Sequence, residues 1–235
     1  MTEREHPGRY NPLGQGVRPG PYGRHPADSQ RDDFSIPLGS ATSGRLVFTT
    51  RVKGVTLVAE PGLHTLARGR YLNGVAWVGF EGGVVMAAYQ AVASPDPTAA
   101  PSPAGGEIAL NAAIPWEVEF RGSASRVTAR LGALQLRSLD LLGGASDLTL
   151  ELSRPEAAAY LYLTGGVRRM TILRPVGAGV RVHSQDGIAG LILDGRRFRR
   201  ISSDTRLESA DFSRNSCRYE ISISGLASEL TIQTR

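Results

Sequence analysis

The sequence predicts an all-β protein, a single-stranded, β-helix-like β-solenoid of about 21-residue coils behind a disordered N-terminal tail. Three observations carry that expectation. One phrase recurs, as GSASRVTA from Gly122, GGASDLTL from Gly143, GGVRRMTI from Gly165, DGIAGLIL from Asp186 and GLASELTI from Gly225, at spacings of 21, 22, 21 and 39 residues. Each copy keeps its apolar residues in phase: Val127, Leu148, Met170, Leu191 and Leu230 at the sixth position, and Ala129, Leu150, Ile172, Leu193 and Ile232 at the eighth. In a strand these two positions face the same side, so a core is expected there. Almost everything else beyond residue 40 is short runs of β-branched residues broken by Gly, Pro, Ser, Asp or Asn, the pattern of many short strands.

Residues 1–40 hold six of the fourteen prolines, and their five arginines balance five carboxylates without any periodic apolar pattern. Such a composition buries too little surface to offset the entropy of ordering, which makes 1–40 the tail and 41–235 the folded domain. LVFTTRV and GVTLVAE open that domain. VKGVTLVAEP resembles VRRMTILRP, with Val55, Thr56 and Leu57 matching Met170, Thr171 and Ile172, so the stack is expected to begin near residue 45. Val84–Ala93 and Ser153–Ala159 are the only windows compatible with a short helix. Residues 94–106, SPDPTAAPSPAGG, read as a surface loop, because four prolines stop the pattern while similar strands lie on both sides. Beyond it each coil holds a second strand, in LQLRSLDLL, AAYLYLT, GVRVHS and RYEISIS. The long spacing leaves an insertion over 194–217, and insertions in solenoids become loops.

Identical phrases stack best as parallel coils in register, about 4.8 Å apart, with like residues forming ladders. Thr128, Thr149, Thr171 and Thr231 then face outward, as suits threonine on an exposed strand. The fifth position places Arg126 beside Asp147 and Asp147 beside Arg169, and the ninth sets Arg130 beside Glu151, as cross-strand charge pairs. The small residues opening each phrase suit a corner where the backbone turns sharply. An antiparallel sandwich is the competing arrangement.

A formal net charge of +5 raises the question of nucleic acid, yet Lys53 is the only lysine and aromatics make up 6% of the chain, few stacking platforms for bases. No apolar run is long enough to span a bilayer. The charged, Gly- and Pro-rich start lacks the apolar stretch of a secretory signal, so a cytoplasmic location is expected. Cys217 stands alone and reads as a buried bystander thiol. His64 and His183 lie far apart with no ligand spacing around them, and Asp140, Asp147, Glu151 and Asp186 fall at different repeat positions, so neither a metal site nor a paired acid and base is expected. There is no GxSxG elbow, no strand-GxGxxG-helix unit and no phosphate-loop lysine. The sequence therefore predicts no enzyme and no cofactor.

Arg196, Arg197, Phe198, Arg199 and Arg200 are the strongest candidates for partner contact: four guanidiniums around an aromatic could clamp an acidic protein. Trp77 and Trp116 read as covers for the N-terminal coils. GGASDLTLELSRP, TGGVRRMTILRP, GVRVHSQDGIAGLILDGRRF and YEISISGLASELTIQT resemble a C-terminal β-solenoid region of actinobacterial proteins. That region is similar to the adhesin-like, toastrack group of domains, which also includes the C-terminal domains of LiaF-like envelope-stress proteins. The resemblance covers roughly Ile114 to Thr234 and implies a non-enzymatic assembly or interaction module. The expected function is a non-catalytic scaffold or protein-interaction module. A self-assembling, bactofilin-like cytoskeletal filament is the alternative, and a carbohydrate-binding β-helix would require a surface groove with aromatics and clustered acids.

Overall fold

The computed structural model describes residues 31–72, 75–81, 84–90, 105–214 and 216–235. In chain order its strands are β1 (Arg31–Pro37), β2 (Gly44–Phe48), β3 (Val52–Lys53), β4 (Val55–Glu60), β5 (Thr65–Leu72), β6 (Val75–Glu81), β7 (Val84–Gln90), β8 (Gly105–Asn111), β9 (Trp116–Phe120) and β10 (Ala124–Leu131). They continue as β11 (Leu136–Leu141), β12 (Ala145–Leu152), β13 (Ala158–Leu163), β14 (Val167–Arg174), β15 (Gly179–Ser184), β16 (Ile188–Leu193), β17 (Arg196–Phe198), β18 (Thr205–Glu208), β19 (Arg218–Ile223) and β20 (Ala227–Thr234). One 3-10 turn, Phe212–Arg214, is the only helical element among the described residues. The all-β expectation holds.

Two boundaries differ from the sequence reading. Arg31–Pro37, placed in the tail, is strand β1, paired antiparallel with β5 and burying Ile36; residues 1–30 lie outside the described part. Of the helix-compatible window Val84–Ala93, Val84–Gln90 is strand β7 and residues 91–93 lie outside the described part, and the other window runs into β13. Alanine content loses there because both segments are zipped against neighbours, β7 between β2 and β6 and β13 between β11 and β19, and pairing outweighs a weak local propensity. Of the predicted loop, Gly105 and Gly106 already belong to β8; residues 94–104 lie outside the described part.

The strands form two sheets whose inner faces share one apolar core. In the first, β4, β10, β12, β14, β20 and β16 run parallel and in register. Val127, Leu148, Met170, Leu230 and Leu191 follow one another as register partners, each at most 2% exposed. The outward threonines pair likewise, from Thr56 through Thr128, Thr149 and Thr171 to Thr231. In the second sheet Leu46, Val118, Leu139, Leu161, Ile221 and Val182 form the matching inner column.

The stacking order is not the chain order. β14 neighbours β20, and β20 neighbours β16, while in the other sheet β19 lies between β13 and β15. β15 and β16 thus stand one strand away from β13 and β14, and the C-terminal strands β19 and β20 lie in between. The N-terminal end mirrors this: β8 sits outside β4, and the chain then crosses back so that β9 and β10 lie inside β2 and β4. Antiparallel strands cover the stack at both ends, β5 on β8 and β6 on β7 at one, β17 on β16 and β18 on β15 at the other.

The corners explain the repeated glycine. A Cβ on Gly143 would lie 2.4 Å from the Gly122 carbonyl carbon, and one on Gly165 would lie 2.1 Å from the Gly144 nitrogen. What the phrase needs at its first position is room for backbone against backbone between windings, rather than an unusual φ. The fifth position is different. Arg126, Asp147, Arg169 and Glu229 all have φ between 52° and 57°, and Gly54 and Gly190 flank them in the same column with φ of 71° and 89°. These residues drop out of the ladder, Ser125 facing Ser146 and Val127 facing Leu148 with nothing registered between. A stacked bulge thus lets both the third and the sixth positions point inward. Charge alternates along this column only in spatial order, Arg126, Asp147, Arg169, Glu229. Asp147 pairs with Arg169 at 2.5 Å rather than with Arg126, and the expected Arg130–Glu151 neighbours are in register while Glu151 is engaged by Arg235.

Candidate functional site

Of the five predicted contact residues, Arg196, Arg197 and Phe198 form strand β17, the second arm of a β-hairpin at the outer edge of the larger sheet, and Arg199 and Arg200 follow it outside the strand. Leu193 faces Arg196 across a two-residue turn, Asp194 and Gly195, whose φ values are 46° and 79°. Positive φ at both central residues is the tight hairpin turn whose twist matches that of the strands, and an Asp-Gly pair suits it. Phe198 faces Leu191 and packs partly buried on the core, with the Arg196 guanidinium 5.3 Å from its ring centre. Beyond the run, buried Ile201 exchanges backbone hydrogen bonds with Ile188 at 2.9 and 3.1 Å. The segment is therefore fixed at both ends. Arg196, Arg197, Arg199 and Arg200 are exposed, and none forms an ion pair among the described residues.

A group that sequence reasoning missed holds the base of this hairpin. Arg174, only 1% exposed, donates to the Ala178 carbonyl at 2.5 Å, to Asp194 at 2.5 Å and to Asp211 at 3.1 Å. Burial pushes the Asp211 carboxyl up, but hydrogen bonds from Ser209 and Arg174 outweigh it and leave that carboxyl below its ordinary value. The guanidinium thus ties the hairpin turn and the segment before β19 to the end of β14. Nothing in TILRP signals this, because Asp194 and Asp211 approach only once the inserted segment has folded back.

The other singled-out residues are dispersed. Trp116 is fully buried, its Nε1 donating to the Asn111 carbonyl at 2.8 Å; the Trp77 side chain lies outside the described residues. His64 is exposed, and His183 on β15 faces Asp204 at 3.0 Å. Cys217 is half-buried rather than buried. Burial, together with the nearby Glu119 charge, raises the Asp140 carboxyl above its ordinary value. Among the described residues no three His, Cys, Asp or Glu side chains gather in a way that could hold a metal ion, and no helix is long and apolar enough to cross a membrane.

Two parallel sheets with reordered end windings and covered ends define the architectural class. Residues 102–173 match the family model described as the N-terminal domain of toast_rack, DUF2154. Among solved structures the fold is similar to the crystal structure of a candidate cell adhesion protein from Clostridium sporogenes, with a TM-score of 0.64 and 14% identity over 87% of this chain and 99% of that one. No curated protein matches the chain. The toastrack resemblance read from GGASDLTLELSRP is borne out by the family-model match; at 14% identity the likeness to the adhesion protein is one of fold.

Proposed function

We propose that this protein is a non-catalytic interaction module, a β-solenoid with interchanged end coils that presents the Arg196–Arg200 hairpin to an acidic protein partner. One observation carries the reading: four exposed guanidiniums that form no ion pair among the described residues, on a hairpin anchored by Phe198, Ile201 and the Arg174 cluster. Their side chains are presented from a preordered backbone, so binding costs side-chain but little backbone ordering entropy, and planar guanidiniums match carboxylates two bonds at a time. The toastrack match and the adhesion-protein fold support an interaction role over catalysis.

A filament of stacked end coils is the weaker reading. Antiparallel strands bearing Arg196, Arg197 and Arg206 occupy the C-terminal edges of the two sheets, and charged edge strands resist strand-to-strand association. Affinity capture from the native cells with the wild type and with Arg196, Arg197, Arg199 and Arg200 all changed to Ser tests the proposal. The expected result is loss of one or more acidic proteins from the captured set, at unchanged melting temperature. An identical set from both baits rules the hairpin out.

A further inference from the structure

Besides the arginine hairpin, the outer face of the smaller sheet carries a second surface that the sequence order hides. Tyr160 and Tyr162 on β13 are 43% and 42% exposed, with rings 6.0 Å apart and within 6° of parallel. Across the sheet from Tyr162 come Ser222 on β19, His183 on β15 and Arg206 on β18, each the register partner of the one before. A small residue thus lies between larger ones, and the result is a groove of about 350 Å³ whose lining includes the two tyrosines, Ser222, His183, Arg206 and the paired Arg181 and Glu220. Its walls stand on strands two spacings apart, roughly 9.6 Å.

The polar lining is mostly committed already. Glu208 and Glu220 hold Arg181 at 2.9 and 3.5 Å, Asp204 faces His183 at 3.0 Å, and Gln185 donates to the Ser222 hydroxyl at 3.4 Å. Arg206 is exposed and has no ion pair among the described residues. The groove therefore offers two aromatic faces, the Ser222 hydroxyl and His183 imidazole fixed in place, and one guanidinium outside any ion pair among the described residues, with the neighbouring Asp204 carboxylate directed to His183. A ligand complementary to that set has an apolar C–H face, many hydroxyls and one carboxylate.

We propose that this groove binds an acidic sugar of the uronic acid class, with the pyranose ring against Tyr162 and its carboxylate on Arg206. Aromatic rings take the C–H face of the sugar, Ser222 and His183 meet its hydroxyls, and the guanidinium supplies a charge-assisted pair. The site stands apart from the arginine hairpin, and its test separates the two.

Titration calorimetry of the full chain with tetragalacturonate, with its methyl ester and with a hexaglutamate peptide decides the matter. The wild type is expected to bind the acidic sugar, and Tyr162→Ala and Arg206→Gln each to weaken it about tenfold at unchanged melting temperature, while the four-serine hairpin variant binds normally. Equal binding of the ester, tighter binding of the peptide, loss of binding in the hairpin variant or no binding of the sugar at all would each overturn the assignment.

Discussion

Replacing Arg174 by Met removes a buried guanidinium while keeping most of its volume. The change removes the guanidinium donor from the Ala178 carbonyl, Asp194 and Asp211, although Asp211 keeps its bond from Ser209, and the two carboxylates are 27% and 31% exposed in the wild type, so water can recover part of what is lost. Charged hydrogen bonds contribute roughly 1.5–3 kcal/mol each, and breaking a buried pair costs about 3–5 kcal/mol; with the exposure of the acids discounted, about 3 kcal/mol is expected. For a domain of this size that corresponds to a fall in melting temperature of about 6–12 °C, read by calorimetry at neutral pH. Because the Asp211 carboxyl lies below its ordinary value in the folded chain, its contribution is complete above the unfolded value near pH 4 and fades as pH drops through the folded one. The gap between wild type and variant should therefore narrow in acid. Changing Asp194 and Asp211 to Asn in the Arg174→Met background should restore part of the stability. A variant melting within 1 °C of the wild type would refute the reasoning, as would a gap that widens in acid.

The packing supports further expectations. Gly165→Ala would press a Cβ to within 2.1 Å of the Gly144 backbone, and a loss of about 1–3 kcal/mol should appear in urea unfolding. Leu148→Asp buries an unpaired charge in the central column, where Leu148 is 2% exposed, and should abolish the cooperative transition in circular dichroism. Arg126→Gly relieves a left-handed backbone and should raise stability by about 0.5–1 kcal/mol, whereas Arg126→Val should lower it; both are measured by urea unfolding.

The five phrases made the parallel ladders legible, since Val127, Leu148, Met170, Leu191 and Leu230 can share an apolar column only when like windings lie in register. The order of the windings was not legible, because interchangeable phrases fit any slot nearly equally well. Only the 39-residue spacing after Asp186 hinted that enough chain intervenes to carry the last winding back. The fifth-position bulge was masked by Arg and Glu, residues that do not announce a positive φ; Asp147 and, in the same column, Gly54 and Gly190 were the faint signal. The cluster of arginines around Phe198 was visible in RRFRR, but it was expected on a loop, and the pairing of β17 with β16 was not foreseen. The tyrosine groove was not legible either: with β15 stacked directly on β13, His183 would abut Tyr162, and only the interposed β19 sets Ser222 between them.

Disulfide trapping tests the interposed winding directly. In a Cys217→Ser background, cysteines at Thr171 and Thr231, register partners on neighbouring strands, should cross-link readily on mild oxidation, as should a pair at Thr231 and Ile192. A pair at Thr171 and Ile192, two strands apart at roughly 9.6 Å, should stay reduced because a disulfide needs α-carbons within about 7 Å. Rapid cross-linking of Thr171 to Ile192, with Thr171 and Thr231 unreactive, would contradict the stacking order described above.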